Sequence, residues 1–228
     1  MSDITYEGVP YFVAGPETAK VGVIVIQEWW GLNNQIKKTT KRYAEALGGL
    51  AISPDLCVHI DYPYRGKVAT EADEANHLMG ALDWPQAIED IRNATKYLKS
   101  RGVEKVGITG FCMGGALTLA SAVHVPELTA GVVFYGVPPA SFADPKDIRI
   151  PLQYHFGNQD TSKGFSDKPT ADKLKETLQS HGKDVSEFYQ WEGANHAFMN
   201  EEEPAYPYVP EVANKAFEKS VQFFKKHL

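Results

Sequence analysis

Short runs of contiguous apolar residues alternate along the chain with longer stretches whose apolar positions recur at helical spacing. Residues 21–27 are almost entirely Val and Ile, which suits a central strand covered on both faces. Before it, residues 11–14 predict a short first strand ended by Gly15-Pro16. Ile36, Tyr43, Ala44 and Leu47 share one face of a helix that Gly48-Gly49 stops. Residues 50–53, 131–136 and 151–157 read as further buried strands, and 185–191 as a last strand with alternating character. Asp83-Trp84-Pro85 opens a helix whose stripe is Ile88, Ile91, Ala94, Tyr97 and Leu98. Leu174 and Leu178 mark another helix, ended by Gly182, and Ala216, Phe217, Val221 and Phe224 a closing one. Residues 57–83 show no clear period and read as an excursion at the rim of the sheet, with an acidic segment of helical character. Strands alternating with helices imply an α/β fold with a mainly parallel sheet and helices on both faces. No repeat, low-complexity tract or linker divides the chain, so one domain over residues 1–228 is expected.

Composition narrows the partners. A net charge of −6 over 228 residues disfavours nucleic acid and anionic membrane surfaces. No apolar run is long enough to span a bilayer, and the N-terminus lacks the pattern of a signal peptide. Two cysteines are too few for a disulfide framework, so a reduced, cytoplasmic setting is expected. A small-molecule substrate and a monomer or small homo-oligomer fit this picture.

The chemistry gathers around residues 106–117. Val106 and Ile108 suit a core strand; Gly110-Phe111-Cys112-Met113-Gly114-Gly115 then reads as a tight turn into a helix. Gly-x-Cys-x-Gly is the nucleophile-elbow pattern with sulfur in place of the serine oxygen. Such a turn lifts the thiol above the sheet at a helix N-terminus, whose partial positive charge favours a thiolate. Both nucleotide fingerprints fail here, because no G-x-G-x-x-G and no Gly-Lys-Ser/Thr can be read. A buried structural cysteine is the plainer alternative for Cys112.

Other strand ends carry reactive types as well. Residues 21–27 lead to Glu28, residues 151–157 to Asp160, and residues 185–191 to His196 in Gly193-Ala194-Asn195-His196-Ala197-Phe198. Nucleophile, then acid, then histidine is the chain order of the α/β-hydrolases. In that arrangement His196 would take the thiol proton and Asp160 would fix the imidazole tautomer. The backbone N–H groups of Met113 and Trp29 would bind the oxyanion. Glu28 taken alone reads as a surface charge more often than as a proton acceptor; beside the thiol, the histidine and the aspartate the catalytic role is favoured.

Together, Gln27-Glu28-x-x-Gly31, the Cys112 elbow, Tyr135-Gly136, Gly157-Asn158-Gln159-Asp160 and the His196 loop resemble the dienelactone hydrolase (carboxymethylenebutenolidase) family from about Val21 onward. The resemblance implies an α/β-hydrolase fold and a Cys-His-Asp triad at Cys112, His196 and Asp160, acting through a thioester. It also implies that Glu28 holds the resting thiol and helps to activate it when substrate binds. Family members that cleave dienelactone bind its carboxylate with arginines, one of them four residues after the histidine; here Asn200 stands there, and the segment near residues 72–74 offers no arginine. An ester or lactone lacking that carboxylate is therefore expected. Trp30, Met79, Tyr135, Phe198 and Asn200 are candidate pocket residues, each equally at home in a core. Arg65, Lys67 and His77 read as solvated, Cys57 as inert, and His59 with Asp61 as too few ligands for a metal. The acidic and aromatic stretch 201–208 is a solvated loop with a possible gating role. No metal or cofactor is expected. A redox-sensor protein on a hydrolase scaffold, or a broader carboxylesterase or thioesterase, are the competing readings.

Overall fold

The structure is a computed structural model that describes residues 2–203, 205 and 208–228. Among the described residues, eight strands form one sheet: β1 (Ser2–Tyr6), β2 (Val9–Ala14), β3 (Val21–Ile26), β4 (Leu50–Pro54), β5 (Lys105–Phe111), β6 (Ala130–Phe134), β7 (Leu152–Gly157) and β8 (Phe188–Trp191). Their spatial order is β1-β2-β4-β3-β5-β6-β7-β8. β1 and β2 pair antiparallel, as do β2 and β4, and every pair from β4 to β8 is parallel. The described α-helices that cover the sheet are α1 (Asn34–Leu47), α2 (Ala72–Ala81), α3 (Trp84–Ser100), α4 (Met113–His124), α5 (Lys168–Ser180) and α6 (Pro210–His227).

The period-2 geometry of a strand decides which helices lie on which face. On β3, Ile24 and Ile26 join a core with Ile88 and Ile91 of α3 and Leu117 and Ala120 of α4. Val23 and Val25, between and beside them, join the opposite core with Ile36 and Tyr43 of α1 and Ala213 and Ala216 of α6. Both faces are thus apolar, which explains the unbroken hydrophobic run. Helix boundaries follow local chemistry. The Asp83 side chain accepts from the Gln86 N–H and caps α3, with Pro85 in its first turn. Gly48 ends α1 in the left-handed conformation at φ 57°.

Three sequence expectations are corrected. Residues 11–14 belong to the second strand, not the first, because residues 2–6 form an edge strand whose side chains are mostly exposed. The last strand begins at Phe188 rather than 185. Residues 57–83 are more than an excursion, since α2 anchors there by burying Ala75 and Leu78. Ala75 and Leu78 pack with Trp30, Cys57, Ile60 and Ala69, so the segment leans on the loop after β3.

β3 and β5 are neighbours, yet the chain leaves β3 for α1 on one face and β5 for α4 on the other. Such a switch point opens a crevice at the carboxyl ends of the strands. Glu28 and Cys112 follow those two strand ends.

Candidate active site

Cys112 stands between β5 and α4 with φ 55° and ψ −119°, a conformation that L-residues rarely adopt. The turn closes only because its neighbours are bare. A Cβ on Gly110 would lie 2.1 Å from the Gly114 carbonyl oxygen, and one on Gly114 would lie 2.5 Å from the Gln27 carbonyl oxygen. The strained turn holds the thiol at the first turn of α4, where N–H groups point outward.

Three side chains from separate strand ends meet there. Cys112 Sγ lies 3.1 Å from His196 Nε2, and His196 Nδ1 lies 2.7 Å from Asp160 Oδ2. Asp160 Oδ1 accepts the Ser162 N–H at 2.8 Å, which fixes the carboxylate on its loop. The Ser166 hydroxyl, fully buried, lies 3.0 Å from His196 Nδ1. Ser166 had no signal in the sequence: it sits six residues beyond Asp160 in a polar loop. Burial alone would lower the pKa of His196, but the negative charges of Cys112 and Asp160 outweigh it and hold the imidazole well above its ordinary value. Burial would raise the pKa of Asp160, but the hydrogen bond and charge of His196, with the bonds from Ser162 and Ser166, hold it below the usual carboxylate range.

Glu28 is 2% exposed, far from the surface charge that its residue type suggests. Its Oε2 accepts from Asn200 Nδ2 at 2.6 Å and its Oε1 from the Tyr135 hydroxyl at 3.3 Å. Burial pushes its pKa from 4.5 up to about 7, against the opposing charge of His196 and the bonds from Asn200 and Tyr135. Asn200 and Tyr135, expected as pocket residues, thus bond directly to this carboxylate. A cleft lined by Glu28, Gln35, Phe111, Tyr135, Met199 and Asn200 lies beside them.

The remaining expectations divide. Phe198 is buried against Phe134 and Tyr135. Trp29, half-buried, packs edge-on against Trp30, whose indole N–H donates to Glu203 at 3.0 Å. Met79 packs instead against the core beneath α3, because Leu78 is the α2 residue turned toward Trp30. Cys57 is buried, accepts from Gln27 Nε2 at 3.2 Å, and has its pKa pushed up to about 11 by burial. His59 bonds to Asp90 at 3.2 Å, while Asp61 is exposed. Lys67 pairs with Glu74, His77 lies tilted against the Tyr64 ring, and Arg65 is exposed. Lys38 of α1 pairs with Glu201 and Glu202; Pro204, Tyr206 and Pro207 of the proposed gate lie outside the described residues.

A mostly parallel sheet with a residue at a strained strand-to-helix turn, facing the crevice of the switch point, is the architecture of an α/β-hydrolase. The family model for the dienelactone hydrolase family matches residues 9–228, and the chain belongs to that family as a carboxymethylenebutenolidase-like hydrolase. The protein usf of Aquifex pyrophilus is 33% identical over 95% of this chain and 93% of that protein. A Saccharolobus solfataricus protein, provisionally named a carboxymethylenebutenolidase, is 30% identical over 94% of this chain and 93% of its own length. A Klebsiella pneumoniae crystal structure, provisionally named a dienelactone hydrolase, superposes with a TM-score of 0.80 at 23% identity, covering 96% of this chain and 93% of that one. The dienelactone hydrolase-like promiscuous phosphotriesterase P91 from metagenomic libraries superposes at 0.74 with 21% identity, over 96% and 92%.

Proposed function

We propose that this chain, acting as one domain, hydrolyses small esters or lactones through Cys112, His196 and Asp160. The unbroken contact from Sγ through both imidazole nitrogens to the Asp160 carboxylate, 3.1 Å and then 2.7 Å, carries the reading. His196 Nε2 takes the thiol proton, and the thiolate attacks the carbonyl carbon. The oxyanion is met by the Met113 N–H and the Trp29 N–H; losing one such donor costs about 100–1,000-fold in turnover. Collapse expels the alcohol oxygen, which leaves with the proton from His196, and Cys112 keeps the acyl group as a thioester. Water, giving a proton to His196, attacks the thioester carbonyl; the C–S bond breaks, the carboxylic acid leaves, and the thiolate takes that proton back from His196. Asp160 keeps the Nδ1 proton in place and offsets the imidazolium charge. The route uses three side chains, two backbone N–H groups and water.

Glu28 tunes this chain through its charge rather than by holding the thiol, since its oxygens are taken by Asn200 and Tyr135. A carboxyl with a pKa of about 7 changes protonation close to neutral pH, and its charged form favours the imidazolium of His196.

The substrate is an ester or lactone without a carboxylate next to the reacting carbonyl. Asn200 spends its donor on Glu28 and carries no charge to clamp an anion. The test is a matched pair of aryl esters, one neutral and one with an α-carboxylate, against the native protein, Cys112→Ala and Asn200→Arg. The native protein should prefer the neutral ester, Asn200→Arg should gain on the anionic one, and Cys112→Ala should hydrolyse neither. Equal turnover of both esters by the native protein would contradict the substrate assignment.

A further inference from the structure

The loop after β7 does more than deliver Asp160. It turns back at Ser162, whose carbonyl accepts the N–H groups of Phe165 and Ser166 at 3.1 and 3.0 Å. That turn carries Ser166 to the Nδ1 edge of the imidazole, 3.0 Å from Nδ1, and brings its hydroxyl beside the Asp160 carboxylate, whose pKa it helps to lower. Ser166 is fully buried, so its hydroxyl has no solvent to turn to. Nδ1–H has one proton and gives it to Asp160 Oδ2 at 2.7 Å. The Ser166 O–H is then oriented to donate to that carboxylate, with its oxygen against the Nδ1 edge. Asp160 thereby receives donors from His196, from the Ser162 N–H and from Ser166.

Resting on the reading of Cys112, His196 and Asp160 as the working chain, we propose that Ser166 is a positioning residue for this hydrolase. It locks the Asp160 carboxylate and the His196 ring in one geometry and draws off part of the carboxylate charge. A carboxylate with three donors is less basic than one with two, so it holds the imidazolium without taking its proton. The titratable groups that face His196 among the described residues are Cys112 at α4, Asp160 after β7, Tyr135 after β6 and Glu28 after β3. Ser166 touches only the second of these and the ring itself, so its removal acts through Asp160.

The experiment is the pH profile of Cys112 alkylation by iodoacetamide, with kcat/KM for a neutral aryl ester alongside, in native protein, His196→Ala, Ser166→Ala and Ser166→Cys. With the third donor gone, the field of Asp160 at the pair strengthens, and both limbs of the profile should move to higher pH by about 0.5 unit in Ser166→Ala. kcat/KM should fall by about tenfold with KM little changed, a fraction of the about 100–10,000-fold that a well-placed general base contributes. Ser166→Cys keeps the volume and a weak S–H donor, should lie between the two, and carries the comparison if the alanine variant does not fold. A profile in the serine variants that overlays the native one, with only the melting temperature lowered, would overturn the proposal. A His196→Ala profile identical to native would instead overturn the reading on which it rests.

Discussion

Replacing Glu28 by glutamine should make the protein more stable at alkaline pH while lowering its activity. The carboxyl lies 2% exposed between Asn200 and Tyr135, and its pKa stands at about 7 against 4.5 for an unperturbed group. The folded protein therefore keeps this proton over a pH range in which the unfolded chain has released it. Stability from Glu28 is intact below about pH 4.5 and is lost as pH rises toward and past 7. A rise from 4.5 to about 7 corresponds to about 3 kcal/mol at ~1.4 kcal/mol per unit. Glutamine has the same shape and no proton to lose. Its oxygen can face the Asn200 amide, and its amide can donate to the Tyr135 oxygen, which also receives a backbone bond from Met199. The stability of Glu28→Gln relative to native, from urea unfolding at pH 5, 7 and 9, should grow across the series by up to about 3 kcal/mol. Titrating groups that are not coupled to Glu28 cancel in that difference, leaving Glu28 with the His196 and Tyr135 that feel its charge. A difference that stays flat with pH, or that favours the native protein more at pH 9 than at pH 5, would refute the reasoning.

Other predictions follow from the same structure. Gly114→Ala would force a Cβ to within 2.5 and 2.6 Å of the Gln27 and Ile26 carbonyl oxygens, so thermal melts should show a loss of about 3 kcal/mol or more, and an unchanged Tm would contradict the packing of the elbow. His155 is fully buried, stacked on Phe134 and Trp191, and its pKa is lowered to about 3 by burial and then by Lys219. Below about pH 6.5 the unfolded chain takes a proton that folded His155 refuses, so stability should fall at ~1.4 kcal/mol per pH unit from this group alone. His155→Phe should be less stable at pH 8 yet show a shallower decline between pH 6 and 4; an equal slope would show that His155 titrates in the folded state. Cys57 should be inert to thiol reagents at pH 7.5 in the native protein and react only after unfolding, leaving Cys112 as the titratable thiol; two reactive thiols in the native state would contradict its burial.

What the sequence disclosed tracks what is local. The β3 run, the Asp83 cap and the Gly-bracketed cysteine are short-range patterns whose physics is complete within a few residues. β1 was hidden because residues 2–6 lie at the sheet edge with little to bury, so their pattern is faint. α2 was blurred because it buries only Ala75 and Leu78, too narrow a stripe to set a period. The site shows the same division. Cys112, Asp160 and His196 were legible from chain order and loop chemistry, whereas the depth of Glu28 depends on Asn200, 172 positions away. Ser166 has no signature at all, since a serine in a polar loop announces nothing until the loop curls under the imidazole. Met79 shows the limit from the other side: one residue along a helix turns a side chain by about 100°, and periodicity too weak to phase α2 could not separate Leu78 from Met79.

The thiol's role as nucleophile is tested most directly by trapping the acyl group. Protein turning over a neutral p-nitrophenyl ester is quenched in acid, digested and weighed by mass spectrometry. The acyl mass should be found on the peptide bearing Cys112, should be released by hydroxylamine as a thioester is, and should be missing from Cys112→Ala, which should also lack turnover. Full turnover by Cys112→Ala, or an acyl group carried on another side chain, would contradict it.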